Sequence, residues 1–279
     1  MSEIVYNIPV NLVPAYRGRN VVVRSERPDE LVKALPEGNL EKVLGVQLLS
    51  LAAEVDSMAG WGYAIPVELV MRDPVTEFAL LYRHARLIDK HPVSASIPAI
   101  PGLSKAVKIA NSLQFRVKLD LGQPVPAAIA EMLTAVDYYL HHTSVSQPVE
   151  FFHTTLTSFY QRDPLTLWDV QEEDPAFIRY VTEDGREKIA RRLVSVDPGD
   201  NLDSFIANLQ KVLLGEGGEG QSECYDCEFL ANCGGYFKWP DSEYACDGVK
   251  SVFRALKEAA AELRQDLDNF AESRLEVGR

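Results

Sequence analysis

The chain has 279 residues, of which 46% are hydrophobic and 25% are charged, enough to bury one large core and a small appendage. Its 28 basic and 41 acidic side chains give a formal net charge of -13, which argues against a nucleic-acid partner. No apolar run reaches the roughly 18 residues of a membrane span, and residues 1–6 lack the features of a signal peptide, so we expect a cytoplasmic chain with reduced thiols and no membrane partner.

Short apolar runs alternate with segments of helical spacing between residues 21 and 154. A proline-punctuated stretch, residues 1–17, precedes them and is expected to pack on the body as an extended lead-in. The predicted strands are residues 21–23, 43–49, 66–71, 93–97, 115–119 and 149–154, and helices are predicted from residue 28, around 75–82 and around 129–140. Six strands that alternate with helices predict an α/β fold with a parallel (β/α)6 sheet. The pattern alone allows a barrel or an ordinary doubly wound sheet.

The last third of the chain has a different pattern, so we expect a domain boundary near residue 170. A sixth helix is predicted in residues 155–175 and leads to a predicted hairpin at 177–190, whose turn is Asp184-Gly185. A turn at 197–201, a helix to about 214 and a glycine-rich hinge at 215–220 are expected to follow. Apolar residues between 252 and 270 lie on one face of a long helix, which is expected to pack on the body; a partner-binding helix is the alternative.

All four cysteines of the chain lie in one stretch, Cys224, Cys227, Cys233 and Cys246, with the spacing C-x2-C-x5-C-x12-C. Clustered thiols of this kind form disulfides, a structural zinc site or an iron-sulfur cluster. Disulfides do not suit reduced thiols, and zinc modules usually add a second close cysteine pair or histidines. Gly234 and Gly235 favour a cluster, because glycines let backbone amides approach its sulfur atoms. We expect an iron-sulfur cluster, with zinc as the alternative.

This stretch resembles radical SAM enzymes with a SPASM domain, in which the second auxiliary [4Fe-4S] cluster is held by C-x2-C-x5-C and one later cysteine, commonly with a C-G-G turn. Cys224, Cys227, Cys233 and Cys246 match all four positions. The residues 177–190 look like the SPASM hairpin that carries a ligand of the other auxiliary cluster. Two of that cluster's ligand positions are not cysteines here: Phe237 stands at one, and Ile189 or Ala190 at the other.

The features that bind and cleave SAM in this family are missing from the chain. No cysteine precedes residue 224, so the C-x3-C-x2-C loop is absent, and Leu48-Leu49-Ser50 stands where Gly-Gly-Glu is expected. The resemblance therefore implies a degenerate relative with two domains. Residues 1–170 would form a (β/α)6 partial barrel without a SAM cluster. Residues 171–279 would form a SPASM-like domain with one [4Fe-4S] cluster per chain and a C-terminal helix.

Three hypotheses for the function compete, and the resemblance favours the first. The first is an accessory protein that transfers electrons or positions substrate beside a radical SAM maturase, with that enzyme or a ribosomally made precursor peptide as the partner. The second is an independent enzyme that uses the barrel mouth next to the cluster. The third is a structural metal module, in which the thiols staple a small binding domain.

Polar side chains also follow the predicted strands, at the ends where α/β folds place their chemistry. They either line a ligand cavity or fill an emptied active site. Lys118 and Asp120 are expected to share a strand face and could form an ion pair, and His153 is expected inside the last strand. The complete set is Arg24, Ser25, Gln47, Ser50, Glu68, Arg72, Ser96, Lys118, Asp120, His153 and Thr154.

Overall fold

The computed structural model describes residues 4–174, 176–189, 191, 207, 222–239 and 241–277, with the backbone alone for 271–277. The predicted turn and helix at 197–214, apart from residue 207, lie outside the described residues, as do the predicted hinge at 215–220 and Ala190.

The described strands form one sheet in the order β7-β6-β5-β4-β3-β2-β1-β8-β9. Neighbouring strands are parallel throughout, except for the antiparallel pair β8 and β9. The α/β class and the mostly parallel sheet are therefore confirmed. The strands are β1 (Val5–Pro9), β2 (Asn20–Ser25), β3 (Val43–Leu48), β4 (Val67–Val70), β5 (Val93–Pro98), β6 (Arg116–Asp120), β7 (Val149–Glu150), β8 (Ile178–Val181) and β9 (Glu187–Lys188).

The helices connect the strands and cover the sheet. Proline stands in the first turn of α1, α2 and α4, where its missing N–H removes no helical hydrogen bond. A capping box of Thr166 and Asp169 starts α6. The α-helices are α1 (Pro28–Ala34), α2 (Pro74–Glu77), α3 (Leu103–Ser112), α4 (Pro126–His141), α5 (Phe152–Gln161), α6 (Leu167–Val170), α7 (Leu230–Cys233) and α8 (Asp247–Val277). The helix predicted around 75–82 is mostly a 3-10 helix, Phe78–Asp89, which follows α2.

The six predicted strands correspond to β2 through β7, but the sheet contains more than was predicted. The lead-in includes β1, which pairs with β2 on one side and β8 on the other. Its sequence, Val-Tyr-Asn-Ile-Pro, lacks the long apolar run that marks a buried parallel strand. The strand predicted at residues 149–154 is shorter than expected. It stops at Glu150, and α5 begins at Phe152.

The predicted hairpin is confirmed as β8 and β9, joined by a turn in which Gly185 has a φ of 85°. Glycine adopts this left-handed conformation at no steric cost. The hairpin is also part of the main sheet, since β8 runs parallel to β1 and Val5 N donates to Phe177 O at 2.8 Å.

The long C-terminal helix is confirmed as α8, and its first half packs on the body as predicted. Val252, Phe253, Leu256 and Ala260 are at most 1% exposed, and this half contacts α4 and α5. Farther along, apolar side chains of the same helix are exposed, among them Phe270 at 56%. No helix in the described part of the chain is both long enough and apolar enough to cross a membrane.

Candidate metal centre

The four cysteines, which are distant in sequence from the sheet, line one small cavity at the start of α8. Cys224 and Cys227 lie in turns before α7, Cys233 is the last residue of α7, and Cys246 directly precedes α8. All four are free thiols. The cavity has a volume of about 20 Å³, room for one or two water molecules. Its other lining residues are Glu223, Phe229, Leu230, Gly235, Phe237, Lys238, Val249, Lys250 and Phe253.

The two glycines after Cys233 turn the backbone so that its amides face the sulfur atom of that cysteine. Gly234 and Gly235 have φ angles of 59° and 74°, in the left-handed region that favours glycine. The backbone N–H groups of Gly235, Tyr236 and Phe237 donate hydrogen bonds to the Cys233 thiol. The prediction that these glycines let backbone amides approach the sulfur atoms of a cluster stays a prediction.

A second reason for glycine at position 234 is its contact with Trp168 on α6. A Cβ at this position would lie 3.1 Å from Cδ1 of Trp168, whose Nε1 donates to Gly234 O at 2.9 Å. The same indole ring packs edge-on against Tyr236, with ring centroids 4.9 Å apart. The turn is therefore fixed by the α/β body and not only by its own backbone.

Burial favours the protonated form of Cys224, Cys233 and Cys246. It raises the pKa of Cys233 to about 11, although the backbone amides act in the opposite direction. Burial also raises the pKa of Cys224, and burial together with the neighbouring Glu223 carboxylate raises that of Cys246. A metal that binds these thiols has to displace their protons, so its affinity will increase with pH.

Two lysines place positive charge at the cavity wall. The Lys238 side chain is 9% exposed; its Nζ lies 3.0 Å from Glu223 Oε1 and donates to Tyr244 O at 2.7 Å. Lys250 Nζ is 3.7 Å from Glu223 Oε2. Lys250 Nζ also lies 3.9 Å from the exposed carboxylate of Asp247, so these two ammonium groups are largely balanced by two carboxylates.

Among the residues that the structure describes, no three or more His, Cys, Asp and Glu side chains are grouped so that they could hold a metal ion. The assignment of the four cysteines as ligands of a cluster, or of zinc, stays a prediction.

The aromatic residues after the glycines are part of the core. Tyr236 and Phe237 are each 1% exposed and Trp239 is 7% exposed, so they do not form an exposed docking patch. The Tyr236 hydroxyl donates to Glu173 Oε2 at 2.9 Å, and Phe237 packs edge-on against Phe253 of α8.

A second cavity lies at the carboxyl ends of the strands and contains part of the predicted polar ring. The predicted residues that line it are Gln47, Glu68, Ser96, Lys118 and Asp120. Sequence reasoning missed its other lining residues, which are Asn7, Gln171, Glu172, Glu173, Ile178, Tyr180 and Arg191. Most of these come from β1, from β8 or from the segment after α6, none of which was predicted to border the sheet end.

Other members of the predicted ring lie outside this cavity. The prediction of His153 at a strand end was wrong, because His153 and Thr154 lie on α5, where Tyr139 OH is 2.8 Å from Nδ1 of His153. Arg72 pairs with Glu26 on the surface. Arg24 is buried and does not line the cavity itself, but it donates to Asn7, which does, and to Val181 O. Ser25 is buried and bonds to Glu30, and Ser50 does not line the cavity.

The ion pair suggested between Lys118 and Asp120 is also wrong, since each residue has another partner. Lys118 pairs with Glu172, and Asp120 pairs with Arg191. The backbone φ of Glu172 is 55°, which is unusual for a residue other than glycine. Burial opposes the charge on Lys118, but the carboxylates of Glu68 and Glu172 together raise its pKa above the ordinary value.

Comparisons of the chain with protein-family models, with curated proteins and with solved structures gave no match in any of the three.

Proposed function

We propose that this chain is an iron-sulfur protein that does not cleave SAM, and that it serves as an accessory subunit of a radical SAM enzyme that modifies a peptide. It would hold one [4Fe-4S] cluster through Cys224, Cys227, Cys233 and Cys246. The observation that carries the proposal is the single cavity that all four thiols line. When bound, such a cluster supplies one-electron transfer.

The chemistry of the donor set suits a cluster. Four thiols match one complete ligand set, and three backbone amides already donate to the Cys233 sulfur, the kind of hydrogen bond that tunes cluster potentials. Lys238 and Lys250 would offset part of the negative charge of four thiolates. The present cavity, of about 20 Å³, is smaller than a cubane, so the cysteine-bearing segments have to rearrange when a cluster is assembled.

The order of the strands supports the partial barrel that the resemblance implies. From β1 to β7 each strand lies beside the next one in sequence, whereas a doubly wound sheet reverses its order at a switch point. A sheet wound in a single direction is the pattern of barrels.

A purely structural role for the metal is less well supported. Modules that a metal holds together lack a core of their own, but the segment around the thiols contains buried aromatic rings. Phe229 stacks on Phe253 with ring centroids 5.1 Å apart, and Phe237 packs on Phe253 as well. Gln123 Nε2 also donates to Phe237 O at 2.8 Å and so ties the segment to the loop after β6.

The metal assignment is tested by anaerobic reconstitution, followed by iron and sulfide analysis and by visible and electron paramagnetic resonance spectra. We expect about four irons per chain and a broad brown absorbance. Each of the four Cys→Ser variants should lose most of this iron. Tyr225→Ala, in the same loop and 58% exposed, is the control that should keep it. Stoichiometric zinc without iron would contradict the proposal.

The accessory role is tested separately, by producing the protein together with a radical SAM enzyme and a precursor peptide encoded beside it. We expect a complex, and turnover that falls when Cys246→Ser replaces the wild type. The protein alone should form no 5'-deoxyadenosine from SAM under strong reductant. Full-rate modification of the peptide by the partner without this protein would show that it is not an accessory subunit.

A further inference from the structure

A pocket beside the amino ends of β2 and β3 is cationic in an otherwise acidic chain. It has a volume of about 420 Å³, within the range of about 300–1,000 Å³ that is usual for sites that bind small molecules. Its charged lining residues, among those that the structure describes, are Arg17, Arg19, Lys33, Lys42 and Glu41. The whole chain has 28 basic and 41 acidic side chains, so the charge at this pocket is opposite to the overall charge.

A tight turn holds two of these cations in place. Arg19 N donates to Tyr16 O at 3.2 Å, and the two residues between them match a type II turn. Arg17 has a φ of -57° and a ψ of 134°, and Gly18 has a φ of 78°. Because this turn requires a positive φ at its third residue, glycine at position 18 fixes where both arginines leave the backbone.

Aromatic rings, and not carboxylates, hold the Arg19 guanidinium. Its Cζ lies 5.0 Å from the ring centroid of Tyr6 and 5.5 Å from that of Tyr16, and the two ring centroids are 5.2 Å apart. Glu187 accepts from the Tyr16 hydroxyl at 3.1 Å, but within the described part of the chain neither Arg17 nor Arg19 takes part in an ion pair. A guanidinium that rests on aromatic faces still presents N–H donors along its edge, where they can bind an anion.

The other charges of the pocket do not cancel those of the two arginines. Lys33 Nζ lies 3.2 Å from Oδ2 of Asp29, which is not a lining residue, and Lys42 has an interaction of its own. Glu41 is the single carboxylate of the described lining. Carboxylates more than about 8 Å away are largely screened at physiological ionic strength. The mouth of the pocket therefore has a net positive charge and favours an anion.

Much of the remaining lining is apolar and reaches the surface of the pocket. Val13, Ala34 and Pro36 line it and are partly or fully exposed, and Val21 and Val43 are 6% and 8% exposed. An inorganic anion would leave this apolar surface in contact with water, whereas an apolar group would cover it. The ligand that suits both parts of the pocket has an anionic head group and an apolar body.

From these observations we infer that the pocket framed by Arg17, Arg19 and Pro36 binds an organic anion with an apolar body. The Arg19 guanidinium, held on the tyrosine rings, binds the carboxylate or phosphate of the ligand, and the apolar body lies against Val13 and Ala34. No cysteine lines the pocket, so the inference does not depend on a metal at the thiols.

The inference is tested with the full-length chain by calorimetric and NMR titration with octanoate. Octanamide has the same apolar body without the charge, acetate has the charge without the body, and octyl phosphate has the other anionic head group. We expect at least one of the two octyl anions to bind more tightly than octanamide and acetate, with an affinity that decreases as the salt concentration rises. The amide signals of residues 16–19 should shift most.

Two variants of the pocket and one control connect the binding to the arginines. Arg19→Gln should weaken the binding of the octyl anion about tenfold, because a charge-assisted hydrogen bond is lost; Arg17→Gln should also weaken it. Arg86→Gln makes the same charge change at an exposed position outside the pocket and should leave the affinity unchanged. Thermal unfolding checks that each variant is folded. A folded Arg19→Gln protein with wild-type affinity overturns the inference, and Arg17→Gln decides in the same way if Arg19→Gln does not fold.

The comparison of the probes has distinct outcomes. Tighter binding of octanoate identifies a carboxylate as the head group, tighter binding of octyl phosphate identifies a phosphate, and both results support the site. Three results overturn the inference: octanamide or acetate that binds as tightly as the octyl anions, NMR shifts centred elsewhere in the chain, or no binding of any probe. None of these results bears on the iron content of the thiol site.

Discussion

The hydrogen bond from Tyr236 to Glu173 joins the cysteine segment to the sheet end, and Tyr236→Phe removes it with little other change. Both partners are buried, at 1% and 4% exposure, and the oxygen atoms are 2.9 Å apart. A hydrogen bond to a charged group contributes about 1.5–3 kcal/mol to stability. Because a phenylalanine cannot supply the hydrogen bond that this carboxylate accepts, we expect Tyr236→Phe to lower the free energy of unfolding by about 2 kcal/mol.

A matched substitution is available at Tyr244, whose hydroxyl donates to the backbone carbonyl of Pro124 at 2.7 Å. That acceptor is neutral, so Tyr244→Phe should cost about 0.5–1.5 kcal/mol. Both tyrosines lie in the segment between the cysteines, and both hydroxyls bond to the α/β body. Tyr236 is buried and Tyr244 is only partly buried, so the difference between the two variants reports the charge and the burial of the acceptor together.

Equilibrium urea unfolding of the metal-free protein measures both variants. With an m value of about 3 kcal/mol/M, a loss of 2 kcal/mol moves the midpoint down by about 0.7 M. Fluorescence and circular dichroism should give the same transition, which is the condition for comparing free energies. If Tyr236→Phe costs no more than Tyr244→Phe, the reasoning from a charged, buried acceptor is refuted.

Three further predictions concern stability and use the same assay. Gly102→Ala should lower the free energy of unfolding by more than about 2 kcal/mol, because φ of Gly102 is 99° and the new Cβ would lie 2.7 Å from Cγ2 of Val75. A smaller loss would contradict the clash. Phe253→Ala should lower the free energy of unfolding by about 3–5 kcal/mol, because this ring is 1% exposed. Phe270→Ala, at 56% exposure, should leave the free energy of unfolding almost unchanged. Equal losses in the two variants would contradict the burial argument. Burial lowers the pKa of His84, so the folded chain binds its proton less readily; stability should be full above the unfolded pKa of about 6.5 and fall as the pH drops below it. A His84→Gln variant with the same pH slope as the wild type would show that another group is responsible.

The α/β class was predictable because it depends on local pattern. The apolar runs of β2 through β6 are bounded by helical segments, and proline marks the first turn of three helices. β1 was missed because its position between β2 and β8 follows from pairing and not from its own composition. The end of β7 was missed because Phe152 and its neighbours suit either a strand or a buried helix.

The cysteines were predicted to form one site, and all four line one cavity. The partners of the polar residues at the sheet end were not predictable in the same way. Lys118 meets Glu172 across 54 positions of sequence, and Asp120 meets Arg191 across 71. Such partners depend on how the segment after α6 returns over the sheet, a path that leaves no periodic signal in the sequence.

Because β1 pairs with β8, the sheet cannot be completed until most of the chain has been synthesised. Val5 lies opposite Ile178, so about 170 further residues must leave the ribosome before this edge of β1 is covered, which takes roughly 10–35 s. During that time the nascent sheet has an open edge that can pair with other chains. A fragment that stops at residue 170 would keep this edge open permanently and should aggregate more readily than one that continues through residue 191.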